Sequence, residues 1–140
     1  MPKENYYTID LYKRVIASKL FIDKNFADNI DLNVIADESN FSKFHFTRLF
    51  KTIYGKAPHQ YLTMVRIEKA KLLLQTEMPV AEVCFSVGFN SVSSFTGLFK
   101  QITTMPPSIY KMQQMKRKNE IRESPRKFIP SCFAKSSDQV

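Results

Sequence analysis

"FTRLFKTIYGKAPHQYL", residues 46–62, returns 49 residues later as "FTGLFKQITTMPPSIYK", residues 95–111. The copies agree at Phe46/Phe95, Thr47/Thr96, Leu49/Leu98, Phe50/Phe99, Lys51/Lys100, Ile53/Ile102, Pro58/Pro107 and Tyr61/Tyr110. They part in the middle, where Arg48 faces Gly97. A repeat of this kind is the first clue to architecture, because each copy is one supersecondary unit.

In the first copy Phe46, Leu49, Phe50 and Ile53 fall at i, i+3, i+4 and i+7, the buried stripe of a helix. Ser42 is a good N-cap and Gly55 a good stop, so a helix is predicted from about Lys43 to Tyr54. Just before it, "DLNVIADE" reads as a helix of two turns capped by Asp31, with Leu32, Ile35 and Ala36 inward. The second copy has the same form. Val80, Val83 and Cys84 align with Leu32, Ile35 and Ala36 at an offset of 48, Gly88 closes the short helix, and Ser91 caps the longer one. The change of offset from 48 to 49 puts one extra residue in the second turn, at "VGFNS". A short helix, a tight turn and a second helix make a helix-turn-helix, whose second helix can enter the major groove of DNA.

The rest of the chain connects these units. A first helix from about Ile9 to Asn25 is predicted to turn Leu11, Val15, Ile16, Leu20 and, with drift, Phe26 inward. Pro58 opens a long helix to about Gln75, with Met64, Ile67, Ala70 and Leu74 for both units to pack on. Prolines open a seventh helix at "PPSIYKMQQMKRK". From Lys118 onward charge, Ser and Pro lose all periodicity, which predicts a disordered basic tail. The reading is an all-α fold of about seven helices. It divides into a first unit at 1–56, a linker helix at 57–77, a second unit at 78–117 and a tail at 118–140.

Composition narrows the function. The chain has 140 residues, a net charge of +8 and 44% apolar residues, enough for a core. The basic excess suits a polyanion, nucleic acid before a membrane surface. No run approaches the roughly 20 apolar residues of a membrane span, and "MPKENYYTID" is too polar for a signal peptide, so a cytoplasmic protein is expected. Cys84 and Cys132 make no disulfide framework; Cys84 falls at a small core position and reads as a buried thiol. His45 and His59 lack companions at metal-ligand spacing, and Asp37 and Glu38 read as a solvated pair. No phosphate loop or nucleophile elbow occurs, so neither an enzyme, a metal site nor a cofactor is indicated.

The candidate site is the outward stripe of each longer helix. In the first unit it comprises Ser42, Lys43, Phe44, Thr47, Arg48 and Lys51. A solvated face accounts for Thr47 and Lys51, but not for an outward Phe44. An aromatic ring beside Arg suits a groove, where the ring meets a thymine methyl and the guanidinium forks onto guanine O6 and N7. In the second unit the stripe is Ser91, Val92, Ser93, Thr96, Gly97 and Lys100, smaller and less committed. Gly97 has two readings: it admits the DNA backbone, or it marks a position no longer used.

Residues 80–111, "VAEVCFSVGFNSVSSFTGLFKQITTMPPSIYK", resemble the DNA-binding domain of the AraC/XylS family of bacterial transcription regulators. They are similar to that family's Ile-Ala, Gly-Phe, Phe-x-x-x-Phe-Lys and Pro-x-x-Tyr-Arg elements, in order. The resemblance extends from about Ile9 to Lys111. Departures are Cys84 for Ala, Thr104 for Gly, Lys111 for Arg and Gly97 for Arg. The resemblance implies two homeodomain-like units bound to double-stranded DNA, with RNA polymerase as a further partner; no membrane partner is expected, since no apolar run is long enough to span one. Two heads in one chain imply a monomer on its site. The rival reading is a protein-interaction module on the same scaffold with an acidic partner. The chain is either a stand-alone regulator or a piece of a longer one.

Overall fold

The computed structural model describes residues 2–33 and 43–124. Among the described residues six helices are defined: α1 (Pro2–Asn25), α2 (Lys43–Tyr54), α3 (Pro58–Leu73), α4 (Val80–Ser86), α5 (Val92–Thr103) and α6 (Pro107–Glu123). Among the described residues there is no strand. The predicted helix after Asp31 starts as expected, with Asn33 N donating to Asp31 Oδ1 at 2.9 Å. Its Ile35, Ala36, Asp37 and Glu38 lie outside the described residues, as do the turn before α2, Ser42 and Cys132.

Two cores form, one per copy of the repeat. The first gathers Leu11, Val15 and Ile22 from α1, Phe46 and Phe50 from α2, and Tyr61 and Leu62 from α3. The second gathers Ile67, Ala70 and Leu74 from α3 or its end, with Val83, Cys84, Val87, Phe89, Phe95 and Phe99. The repeated aromatics repeat in space. The Phe50 ring meets Tyr61 edge-on at 5.8 Å, and the Phe99 ring meets Tyr110 edge-on at 5.4 Å. Pro58 and Pro107 both stand in the first turn of a helix, where their missing N–H has no bond to lose. Gln60 Oε1 accepts from Ala57 N at 3.1 Å, half of a capping box that fixes the start of α3.

α3 is common to both cores. Its 16 residues span about 24 Å at 1.5 Å each. Tyr61 and Leu62 serve the first core, and Ile67 and Ala70 the second. Phe26, just beyond α1, packs against both. Arg66, half-buried on α3, donates through Nε to Phe26 O at 2.7 Å and through Nη2 to Asp28 O at 3.0 Å. Burial draws its guanidinium below the ordinary arginine value, though a guanidinium stays charged at neutral pH.

Two sequence expectations are corrected. Ile16 and Leu20 are 46% and 57% exposed, and the inward line of α1 is Leu11, Val15, Ser18 and Ile22. α1 carries two apolar stripes, and the one meeting α2 and α3 is buried. The aperiodic tail predicted from Lys118 is helical as far as Glu123. The first turn of α6 docks through Pro107 and Tyr110, and the rest through ammonium groups. Lys111 Nζ donates to Thr76 O at 2.6 Å and Met78 O at 2.7 Å, and Lys118 Nζ donates to Gln75 O. These carbonyls lie just past α3, where cations are favoured by the helix dipole. Residues 125–140 lie outside the described residues.

Candidate nucleic-acid interface

The inward faces of α2 and α5 decide what they present outward. Phe46 and Phe50 are buried, which turns Lys43, Phe44, Arg48 and Lys51 to the exterior and leaves Thr47 half-buried. Phe44 is 70% exposed, the most exposed of the large hydrophobic side chains among the described residues. Arg48, one turn on, lies over that ring with its guanidinium carbon 4.6 Å from the centroid. The ring holds the guanidinium by cation–π attraction, limiting the conformations of a long side chain before any ligand arrives. Thr52 Oγ1 donates to Arg48 O at 2.9 Å within the same helix.

On α5 the burial of Phe95 and Phe99 exposes Val92, Ser93, Gly97 and Lys100, with Thr96 half-buried. Ser91 is partly committed to structure: its Oγ accepts from Ser94 N at 3.3 Å and lies 2.8 Å from Ser93 Oγ. The predicted cap is therefore present. A Cβ added at Gly97 would meet nothing within 4 Å, so no protein atom requires glycine there. Bare backbone stands at the place that Arg48 occupies on α2.

α5 is fixed from behind. Cys84 Sγ donates to Ser91 O at 3.5 Å, so the thiol supports the start of α5; burial pushes the thiol up from its ordinary value. That matches the packing role read for Cys84. Gly88, in the turn between α4 and α5, has φ +100°, and a Cβ there would come within 2.9 Å of Arg66 Nε and Phe26 O. Glycine is needed twice over, for its backbone angle and for the close approach.

Phe26 was read as inward, but two further residues of the supporting structure escape sequence reading: Arg66, and Asp23, whose Oδ1 accepts from Tyr61 Oη. Arg66 left a trace. It lies between Leu62 and Ala70 on a line of four-residue steps whose other members are buried, and a charge on such a line needs partners. Asp23 left none. Neither His45 nor His59, both exposed, is placed on the inward faces. Among the described residues no helix is long and apolar enough to cross a membrane.

Comparison with known proteins accords with this geometry. A family model described as a helix-turn-helix domain matches residues 35–113. The chain is 39% identical over 92 residues to the HTH-type transcriptional regulator YdeC of Bacillus subtilis, covering 65% of this chain and 32% of that protein. It is 34% identical over 101 residues to the bifunctional transcriptional activator/DNA repair enzyme AdaA of the same organism, covering 71% and 47%. The chain thus spans about a third to a half of the length of these relatives. Among solved structures, the C-terminal domain of the response regulator AraT from Geobacillus stearothermophilus superposes with a TM-score of 0.66 at 29% identity, covering 71% of this chain and 84% of that one. The DNA-binding domain of AdpA, solved with a target DNA, shares the fold, with a TM-score of 0.67 at 24% identity over 79% of this chain and 96% of that one. The family model takes in more than half of the residues, and the chain belongs to the AraC/XylS family of helix-turn-helix transcriptional regulators.

Proposed function

We propose that the chain reads a specific double-stranded DNA site by laying α2 and α5 into successive major-groove segments as a monomer. The observation that carries this is the pair of equivalent outward faces, Phe44–Thr47–Arg48–Lys51 and Ser93–Thr96–Gly97–Lys100, displayed by two units built on one helix. Groove entries on one side of B-DNA are about 34 Å apart. α3, about 24 Å long, together with the widths of the units it joins, is of that order. Lys43, Lys51 and Lys100 serve phosphates, Phe44 and Val92 serve thymine methyls, and Arg48 serves guanine. Ser42 and Ser91, at the starts of the helices, complete the two contact sets.

The first unit dominates discrimination in this reading, because Arg48 brings a pre-oriented fork and Gly97 brings no side chain. A transcription activator, AarP of Providencia stuartii, is 32% identical over 94 residues. Activation through RNA polymerase is the corresponding role proposed for this chain, acting in the cytoplasm.

Selection of bound sites from a random duplex library tests the proposal. A non-palindromic consensus of about 20 base pairs, bound one-to-one in sedimentation, is expected. Affinity should fall linearly on a log–log plot against salt while sequence preference persists. Binding to acidic proteins and to all duplexes alike would favour the protein-interaction module instead.

A further inference from the structure

We propose that Arg66 is the residue that fixes the orientation of the two recognition helices relative to each other, and so sets which half-site spacing the chain accepts. The proposal rests on the two-head reading of DNA and adds to it a determinant of spacing that touches no DNA. Three groups converge on Arg66. Its Nε and Nη2 hold Phe26 O and Asp28 O, carbonyls that leave the first unit behind α1. Its guanidinium carbon lies 5.8 Å from the ring centroid of Phe89, a buried residue in the second unit's connection between α4 and α5. Gly88 comes so close that a Cβ would lie 2.9 Å from the same Nε and from Phe26 O.

The junction therefore closes over the middle of α3 rather than at its ends. Phe26 extends it, since its ring packs on both cores while Lys69 Nζ stands 5.9 Å from the centroid. A shared helix alone would let each unit rock about its own contacts. A planar fork that grips two carbonyls of one unit and stands over a ring of the other at cation–π distance removes that freedom. The precision matters because one base pair of spacing changes the target by about 3.4 Å along the axis and about 34° around it.

The experiment has an arm without DNA. Spin labels are placed on α2 and α5 through Lys51→Cys and Lys100→Cys, with Cys132→Ser to leave only buried Cys84. The distance distribution between the labels should be narrow, and Arg66→Met should broaden it at least twofold while thermal unfolding stays cooperative. Arg66→Gln, which retains amide donors but neither fork nor stacking charge, should fall between. The DNA arm compares duplexes whose half-sites are set at the selected spacing or one base pair longer or shorter. Arg66→Met should lose about tenfold at the selected spacing, little on an isolated half-site, and most of its discrimination between spacings. A folded Arg66→Met or Arg66→Gln protein with a distribution as narrow as the parent's overturns the proposal. So does an equal loss on every duplex, half-sites included. If the chain read no DNA at all, the label distances would still decide the role of Arg66.

Discussion

Tyr61 Oη donates a 2.5 Å hydrogen bond to Asp23 Oδ1, tying the start of α3 to the end of α1. Lys19 Nζ holds the other carboxylate oxygen at 2.7 Å. Burial pushes the Asp23 carboxyl up, but the bonds from Lys19 and Tyr61 outweigh it and leave the group below its ordinary value. Burial and the bond to Asp23 raise the Tyr61 phenol. The bond to Asp23 likewise raises the Lys19 ammonium.

These shifts predict two limbs of a stability profile. A depressed carboxyl stabilises the fold above its unfolded value near about 3.9, and the gain is lost as pH falls through the folded value. A raised phenol stabilises below its unfolded value near about 10, and the gain is lost as pH rises through the folded value. Tyr61→Phe should cost about 1 kcal/mol at neutral pH and lessen the alkaline loss. Denaturant titrations from pH 3 to 11 check this; a variant as stable as the parent at pH 7 would show that the bond contributes nothing.

Arg48→Ala should weaken specific binding by about 1–3 kcal/mol and relax preference at one or two positions in one half of the site. Part of the loss reflects the freed Phe44 ring. Gly97→Ala should leave affinity nearly unchanged and stabilise α5 by about 1 kcal/mol, because the space around the added methyl is open. Gly97→Arg should gain affinity where a guanine is placed in the other half. A base-by-base affinity scan of all three decides. An unchanged scan for Arg48→Ala, with Gly97→Ala erasing preference in the other half, would reverse the assigned dominance.

Gly55 and Thr104 end the equivalent helices of the two copies, at φ +77° and +71°. Glycine takes this left-handed angle freely, whereas a β-branched side chain is strained there. Thr104→Gly should therefore stabilise the protein, by about 0.5–1 kcal/mol once the greater freedom of the unfolded glycine is subtracted. Gly55→Ala should destabilise by a similar amount. Urea unfolding midpoints measure both, and a lower midpoint for Thr104→Gly would reject the strain argument.

Truncation after Ser124 preserves α6 and removes Arg126 and Lys127. It should weaken all duplexes alike and flatten the salt slope if these residues add phosphate contacts. Lys118→Met tests a different function, the hold of α6 on the end of α3, and should lower the melting temperature with little effect on the slope. Fluorescence titration at three salt concentrations separates the two; unchanged affinity at low salt after truncation would exclude an electrostatic role for the tail.

The readable parts of the sequence were those that the chain states locally. Proline at the first turns of α3 and α6, the serine cap of α5 and the Phe–Phe–Tyr sets of both cores all follow from spacing or backbone chemistry. Phase failed on α1, where Ile16 and Leu20 compete with Leu11 and Val15 and only the neighbours choose between stripes. The docking of α6 beyond Tyr110 was hidden because lysines bond to carbonyls more than 30 residues away, which leaves no apolar periodicity. Arg66 and Asp23 act across similar separations, on groups that no local pattern links. The outward stripes were legible as positions, since they are what remains when the inward stripe is assigned. That Arg48 rests on Phe44 needed the rotamers.

Because α3 belongs to both cores, a single codon gained or lost between Leu62 and Ile67 would turn one half of the molecule about 100° against the other and shift it about 1.5 Å. Such a change would break the packing of one unit or the other at once. Divergence of descendants is therefore channelled into substitutions on the outer faces of α2 and α5, where new binding sites can be acquired one base at a time, while the length of the connecting helix is inherited unaltered.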